Sequence, residues 1–360
     1  MNMVELIEEA IKKDASDIHI TVGSEPIFRI NGKLEKFGEK VLEPVDTEVL
    51  MKQLASEEHL EELEKVGQID LSYSQSGLGR FRVNIFKQRG SYSIALRIIP
   101  LDIPSMEELG LPSVIRRLSM LPRGVILVTG PTGSGKSTTL AAMVDLINRH
   151  RNCHIITLED PIEYLHHHNM SIVNQREVNS DTNSFADALR AALRQDPDVI
   201  PVGEMRDLET ISTALTAAET GHLVLSTLHT LGSAKTIDRV IDVFPGEQQH
   251  QIRTQLSSVI EAVISQQLMI RADGSGRVAA FEVMVGVPAI RNLIREDKIH
   301  QIDTIIETSS SEGMQTMDRS LANLYKRGLI SKETALKQAI VPDVLRRYLN
   351  EERMTSGFQI

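Results

Sequence analysis

Apolar and polar positions follow one pattern before about residue 100 and another after residue 123. In the first part, short apolar segments alternate with helical stretches, which is typical of a small α+β domain. Residues 1–11 carry acidic residues among spaced apolar ones and predict an amphipathic helix rather than a basic signal peptide. Strands are predicted at 27–30, before the turn Asn31-Gly32, and at 69–73, 81–86 and 92–99.

The second part contains short, continuous apolar runs separated by helical patterns. Runs at 125–128, 155–158, 199–202 and 223–226 predict buried parallel strands, because helices cover both faces of such a sheet. Pro201 lies inside the third run and would remove a hydrogen bond of a central strand, so we expect either a local bulge or pairing on one side only. Beyond about residue 286 the pattern is helical to the end, apart from a serine-rich turn at 309–313.

Prolines are concentrated between the two patterns, at positions 100, 104, 112 and 122. Their fixed φ angles and missing N–H donors suit a linker better than a core element. We therefore predict an α/β protein with four parts: an α+β domain at 1–100, a proline-rich linker at 101–122, a P-loop core at 123–286 and a helical region at 287–360.

Composition narrows the classes of function. A chain of 360 residues with 41% hydrophobic residues exceeds the roughly 250–300 residues at which single cores stop growing, which favours two domains. The formal charge of -10 disfavours polyanions as main partners. A single cysteine, Cys153, excludes an internal disulfide and a multi-cysteine zinc site. Because no apolar run approaches the ~18 residues that span a bilayer, we expect membrane association only through a partner.

The segment 130–137 fits the phosphate-loop pattern G-x-x-x-x-G-K-[ST] in full, between an apolar strand and an apolar-periodic helix. Glycines let backbone N–H groups converge on phosphates, Lys136 reaches the β and γ phosphates, and the Ser137 hydroxyl ligates Mg²⁺. The pattern predicts binding of ATP or ADP with Mg²⁺. The candidate nucleotide-binding residues are Gly130, Pro131, Thr132, Gly133, Ser134, Gly135, Lys136, Ser137 and Thr138.

Acidic clusters follow two of the predicted strands, at 159–164 and 203–207. In a P-loop domain, carboxylates beyond buried strands commonly hold the metal or orient the attacking water. His222 and His229 bracket a third strand, and two interpretations stay open for them: a structural role, or a role in phosphate sensing or in the metal shell. The run 166–168 of three histidines predicts a solvated loop.

The predicted hairpin at 81–99 contains two arginines that can face each other. If its turn is centred on Arg89-Gly90, facing residues have numbers that sum to 179, which sets Arg82 opposite Arg97. Directly opposed like charges destabilise a strand pair unless an anion lies between them. We therefore hypothesise that both act as arginine fingers on a γ phosphate. The alternative is a slipped register with two merely exposed arginines.

Together, these elements resemble the type II/IV secretion ATPase superfamily: a Walker A motif at 130–137, an acidic box at 159–164, a Walker B region ending at 203–207 and a histidine box at 220–230. The resemblance is strongest to its type IV pilus retraction members, because 289–296 looks like their C-terminal signature. Physically, that segment predicts a short helix with Ile290, Leu293 and Ile294 buried and with Arg291 and Arg295 outside.

The resemblance implies a hexameric ring of subunits with a PAS-like N-terminal domain and a RecA-like ATPase domain. It implies that Glu163 is the general base and that Glu204 is the Walker B acid, which holds Mg²⁺ directly or through water. His222 and His229 match the histidine box, and Arg82 and Arg97 match the N-terminal arginines. The implied cytoplasmic motor acts on an inner-membrane platform protein to withdraw pilin. Pro201 departs from the family pattern, which has an aliphatic residue there.

Three alternatives stay open. An extension or secretion ATPase of the same superfamily is the nearest. A RecA-like nucleic-acid translocase is disfavoured by the acidic charge, by 4% aromatic residues and by the absence of tryptophan, because single-strand binders combine basic grooves with stacking aromatics. A nucleotide-gated regulator with little turnover is the third.

Overall fold

The structure is a computed structural model that describes residues 2–100 and 102–350. The chain divides into two units. The first contains the residues before Ile103 together with Glu163–Leu165, and the second contains Ile103–Ile162 and the described residues from His166 onward. The extents of the four predicted parts stay predictions.

The first unit is a six-stranded antiparallel sheet with three helices, in the strand order β3-β2-β1-β6-β5-β4. One face of the sheet is apolar and packs into the core with Ile18, Phe28, Phe81, Val83 and Leu96. The elements are α1 (Met3–Lys12), β1 (Ala15–Ile20), β2 (Ile27–Ile30), β3 (Lys33–Lys36), α2 (Pro44–Lys52), α3 (Glu57–Val66), β4 (Gln68–Gln75), β5 (Gly79–Gln88) and β6 (Ser91–Ile98).

The predicted N-terminal elements are confirmed, and the structure adds β1 and β3. The hairpin of β5 and β6 turns at Arg89-Gly90, where both residues have positive φ, 51° and 78°. Such turns match the twist of the flanking strands. Arg82 pairs directly with Arg97, as the sum of 179 predicts, so the slipped register is wrong.

The second unit contains a seven-stranded sheet in the order β13-β12-β7-β11-β10-β8-β9. All its neighbouring strands are parallel except the β12–β13 pair. Its strands are β7 (Gly124–Thr129), β8 (His154–Glu159), β9 (Ile172–Glu177), β10 (Val199–Val202), β11 (Leu223–Leu228), β12 (Ile260–Ile270) and β13 (Arg277–Val285). The four runs expected as buried parallel strands are confirmed, and every residue of β7 and β11 is buried.

Helices connect and cover these strands, and α5 and α7 both pack against β7 and β11. The bounds are α4 (Ser113–Ser119), α5 (Lys136–His150), α6 (Phe185–Ala192), α7 (Leu208–Glu219), α8 (Ser233–Asp242), α9 (Gly246–Val259), α10 (Pro288–Arg295), α11 (Ile302–Thr308), α12 (Met317–Lys326), α13 (Lys332–Gln338) and α14 (Pro342–Asn350). The proline-rich segment contains α4, whose Val114, Ile115 and Leu118 join the core of the second unit.

Beyond residue 286 the described chain is helical, with 3₁₀ turns at Ile299–Gln301 and Ser310–Glu312. The rest of the predicted helical region, 351–360, lies outside the described residues. A small core holds α12, α13 and α14 against β12 and β13 through residues that include Met269, Met317 and Leu321. The helices α10 and α11 instead join the larger core of the second unit. Among the described helices, none is both long and apolar enough to cross a membrane.

Pro201 lies in β10 without a bulge. It is in register with Leu225 of β11, whereas pairing with β8 runs through Val199 and Val202 at an unchanged offset. The ladder with β8 therefore skips the proline, and of the two expected solutions the chain uses pairing on one side.

Candidate nucleotide site

The phosphate loop spans 130–135, between the end of β7 and the start of α5. Gly130 has a φ of 139°, and a Cβ there would lie 2.2 Å from the carbonyl oxygen of Gln266. Only glycine fits such a position, because the conformation is rare for other residues and the space is already filled. Ser134 and Lys136 are 3% and 8% exposed, so the end of the loop is folded into the domain, whereas Pro131, Thr132 and Gly133 are exposed.

His229 contacts both Lys136 and Glu204. The Nζ of Lys136 donates to the carbonyl oxygens of Gly130 and Pro131 at 3.0 and 3.1 Å and lies 3.4 Å from Nδ1 of His229. The other ring nitrogen of His229 lies 3.1 Å from Oε1 of Glu204. Glu204 also forms an ion pair with Arg206. The structure thus brings together three of the predicted catalytic residues.

The topology of the sheet explains this contact. Lys136 follows β7, Glu204 follows β10 and His229 follows β11, and the carboxyl ends of parallel strands meet at one edge. The segment after β10 is tied to β11, because Thr227 Oγ1 donates to the carbonyl oxygen of Gly203 at 2.6 Å.

Buried polar residues of β12 and β13 hold the segment that carries His229. The backbone N–H of Gly232 donates to Ser265 Oγ at 2.9 Å, and both the N–H and the hydroxyl of Ser233 donate to Glu282 Oε1, at 2.7 and 2.8 Å. Burial raises the pKa of Glu282, and the hydrogen bonds from Ser233 act in the opposite direction. A carboxylate at the start of α8 also interacts favourably with the helix dipole.

His222 lies at the opposite end of β11 from His229, as the sequence predicts. Its Nδ1 contacts the carbonyl oxygen of Ala217 at 2.8 Å and Thr220 Oγ1 at 3.2 Å. A strand of six residues puts roughly 20 Å between the two histidines. Within a single chain, His229 therefore contacts the phosphate-loop lysine and His222 does not. A phosphate-sensing or metal-shell role of His222 stays a prediction.

Glu163 is exposed, and it belongs with Tyr164 and Leu165 to the first unit, whereas the phosphate loop belongs to the second. Its assignment as general base stays a prediction. In the same acidic box, Glu159 is half-buried at the end of β8 and accepts hydrogen bonds from Thr157 Oγ1 at 2.6 Å and Gln175 Nε2 at 2.9 Å.

The loop with three histidines differs from the prediction. His167 and His168 are exposed, but His166 is mostly buried, and its Nδ1 has no hydrogen-bond partner among the described residues. Burial lowers the pKa of His166 to about 4, against an opposing effect of Asp145. At neutral pH this histidine is uncharged.

Arg82 and Arg97 lie on the polar face of the first unit's sheet. Strand register places Arg29, Asp17, Arg97 and Arg82 in one row across β2, β1, β6 and β5. Arg97 Nε donates to Asp17 Oδ1 at 2.8 Å, and Arg29 lies 3.6 Å from Oδ2. Burial raises the pKa of Asp17, but the hydrogen bonds from Ser16 and Arg97 outweigh it and leave the pKa lowered.

Arg82 is exposed and forms no ion pair with any side chain in residues 2–100 or 102–350. The row of four residues across these strands therefore contains three guanidinium groups and one carboxylate. The excess positive charge favours an anionic ligand, as the sequence hypothesis requires.

A phosphate loop follows the first strand of a mostly parallel sheet. A histidine from the next strand end contacts the lysine of the loop, and an acid from the strand end beyond it contacts the histidine. This arrangement defines a P-loop nucleotide-binding protein of the RecA-like class. The chain belongs to the type II/IV secretion system protein family, whose model matches residues 2–336. The predicted α/β fold class, an N-terminal domain followed by a secretion ATPase domain, is confirmed.

Several relatives match over nearly the whole chain. The type IV pilus retractation ATPase PilT of Pseudomonas aeruginosa is 50% identical over 95% of this chain and 99% of its own length. A twitching motility protein of Neisseria gonorrhoeae is 47% identical, over 87% of this chain and 84% of its own. The crystal structure of the pilus retraction motor PilT with bound ADP has a TM-score of 0.90 and 51% identity and covers 96% of this chain and 99% of that one.

Proposed function

We propose that this chain is a magnesium-dependent ATPase motor that drives type IV pilus retraction. The observation that carries the proposal is the contact of Lys136 with His229 and of His229 with Glu204 at the end of a phosphate loop. The similarity to proteins named for pilus retraction and twitching motility, over nearly the whole chain, supports the choice of process.

The donor set fits Mg²⁺. Ser137 is a half-buried hydroxyl in the first turn of α5, and Glu204 is a carboxylate at the end of β10. Mg²⁺ prefers oxygen ligands and keeps several waters, which leaves room for Glu204 to act directly or through water. When bound, Mg²⁺ neutralises charge that develops on the β and γ phosphates.

The remaining roles belong to the chain's own residues. Lys136 exchanges its contacts with the carbonyl oxygens of Gly130 and Pro131 for the terminal phosphates, and the N–H groups of 132–138 surround them. Glu163 acts as the general base that orients the attacking water, and Arg82 and Arg97 stabilise the transferred phosphoryl group.

We further propose that the chain works as a homohexamer in the cytoplasm, on the inner face of the membrane, against a platform protein of the pilus machinery. ATP hydrolysis drives rotation of one domain against the other, because open and closed states differ in their affinity for nucleotide. Neither nucleic acid nor direct insertion into the membrane is part of this proposal.

Deletion of the gene in its own organism tests the process. We expect loss of twitching with surface pili retained, because fibres still assemble but are not withdrawn. The wild-type gene should restore twitching, Glu204→Ala should not, and Glu333→Ala, an exposed change on α13, should restore it fully. Loss of surface pili on deletion would instead identify an extension ATPase.

A further inference from the structure

Gln266 is a polar residue buried beneath the phosphate loop. It follows Ser265, which pairs with Thr129 at the end of β7, so it lies beside the first residue of the loop. The residue is only 2% exposed. A buried amide is costly unless both of its ends are hydrogen-bonded.

Both ends of this amide bind the nucleotide-binding segment. Gln266 Nε2 donates to the carbonyl oxygen of Ser134, and Thr139 Oγ1, in the first turn of α5, donates to Gln266 Oε1 at 2.8 Å. A Cβ at Gly135 would lie 3.1 Å from Gln266 Nε2. One side chain thus joins the end of the loop to the helix that begins there.

The contact with Ser134 has a geometric consequence. In a trans peptide the C=O and the following N–H point in opposite directions. Because the carbonyl of Ser134 points to Gln266, the N–H of Gly135 points away from Gln266, toward the concave side of the loop. Phosphate-binding loops present their N–H groups on that side.

We propose that Gln266 is a positioning residue that orients the Ser134–Gly135 peptide, so that the N–H of Gly135 faces the nucleotide's phosphates. The inference rests on the proposed nucleotide site. It adds to that site a residue of β12, a strand that contains none of the sequence motifs. Thr139 fixes the orientation of the amide, because its hydroxyl donates to the oxygen end and leaves the NH₂ end for Ser134.

Gln266→Glu is the sharpest test. The carboxylate still accepts a hydrogen bond from the Thr139 hydroxyl. Its second oxygen, however, replaces the NH₂ donor and faces the carbonyl oxygen of Ser134, which is also an acceptor. We expect the full-length variant to bind a fluorescent ADP analogue with Mg²⁺ about tenfold more weakly or worse at pH 8, the size expected when a buried acceptor loses its donor. Affinity should recover as the pH falls toward 6, because burial raises the pKa of a carboxyl and the protonated acid can again donate.

Gln267→Glu is the matched control, because Gln267 is the next residue, is 5% exposed and interacts with the carbonyl oxygen of Gln338 instead. We expect it to keep parental affinity at both pH values. Equal weakening in both variants, or parental affinity of Gln266→Glu at pH 8, would overturn the proposal.

If Gln266→Glu does not fold, two variants of Thr139 provide the test. Thr139→Val removes the hydroxyl that fixes the amide and should weaken ADP binding, and Thr139→Ser should restore it. Equal affinity of the Val and Ser variants would then contradict the role of Gln266. Failure of the parental chain to bind ADP would instead refute the nucleotide site itself.

Discussion

His229 joins two residues that are 68 positions apart in the sequence, Lys136 and Glu204, through its two ring nitrogens. An ammonium group can only donate, so Nδ1 accepts from Lys136 and the proton is on Nε2, which donates to Glu204. A phosphate that draws Lys136 away would leave Nδ1 of His229 without its donor. The hydrogen bond from Nε2 of His229 to Glu204 would therefore change. Phosphate sensing needs such a contact, and that role of His229 stays a prediction.

The buried His166 predicts a pH-dependent stability. Its folded pKa, about 4, lies below the unfolded value of roughly 6.5, so between these pH values the unfolded chain binds more protons. We expect the thermal midpoint to fall as pH drops from 6.5 toward 4, and His166→Leu to reduce this fall. His167→Leu, at an exposed neighbour, is the control. Parallel pH profiles for the parent and His166→Leu would contradict the assignment.

The arginine pair predicts a loss of turnover without loss of fold. Arg82→Ala and Arg97→Ala should each slow phosphate release by ~10² or more, since an arginine finger contributes ~10³ to 10⁵ in rate. Arg89→Asn removes a charge from the tip of the same hairpin, at a positive φ that Asn tolerates, and should turn over at the parental rate. If both alanine variants hydrolyse ATP at the parental rate, neither Arg82 nor Arg97 acts as an arginine finger.

Single residues show where sequence reasoning succeeds and where it stops. The pairing of Arg82 with Arg97 was predictable, because a hairpin turn fixes every facing pair. The bond between Asp17 and Arg97 was not, because it depends on β1 pairing with β6, 80 residues away. The role of Gln266 could not be predicted either. It lies in a strand without a sequence motif, and it contacts its partners only because β12 pairs with β7.

At the scale of elements, the signature helix α10 corrects an expectation. Ile290 and Ile294 are buried as predicted, but Leu293 is only half-buried, and Arg291 is half-buried rather than outside. Its guanidinium donates to the carbonyl oxygens of Gly286, Ser257 and Ser258 and to Glu261, at 2.6 to 3.2 Å. Ser257 and Ser258 are in the last turn of α9, whose carbonyls lack partners within the helix. Arg291 therefore joins the end of α9 to the start of α10, and only Arg295 is exposed.

This contact predicts different stabilities for two arginines one turn apart. Arg291→Met should lower the free energy of unfolding of the ATPase domain by about 2 kcal/mol, because several acceptors lose a charged donor. Arg295→Met should change it by less than about 0.5 kcal/mol, as exposed substitutions usually do. Denaturant midpoints of the two variants provide the measurement. Equal midpoints would mean that Arg291 contributes nothing to the junction.

Four strands of the second unit, β7, β8, β10 and β11, were predictable from pattern alone, because strands buried on both faces appear as continuous apolar runs. The strands β9, β12 and β13 were not predicted. The pairing at Pro201 was not predictable from the sequence, which allowed either a local bulge or pairing on one side. Only the hydrogen-bonded neighbours of β10 distinguish the two. The mostly buried His166 was missed for a similar reason: three adjacent histidines resemble a solvated loop, and burial of one of them is a tertiary property.

At the scale of the whole molecule, the two largest hydrophobic cores of the described residues lie on either side of the change of pattern near residue 100. The N-terminal unit carries arginines on a polar sheet face, and the phosphate loop with its lysine, acid and histidine lies within the second unit. The site residues of the second unit follow strand ends, and sequence motifs identify them. Residues of β12 and β13 hold the phosphate loop and the segment after β11 in place, and no sequence motif identifies these supporting residues.

The central claim is that the loop around Lys136 holds ATP for hydrolysis. Phosphate release by the purified full-length chain with ATP and Mg²⁺ tests it most directly, alongside Lys136→Ala and the exposed control Lys332→Ala. We predict steady turnover for the parent and the control and a loss of ~10² or more for Lys136→Ala, as expected when one preorganised donor to the reacting group is removed. Turnover of Lys136→Ala at the parental rate would contradict the account.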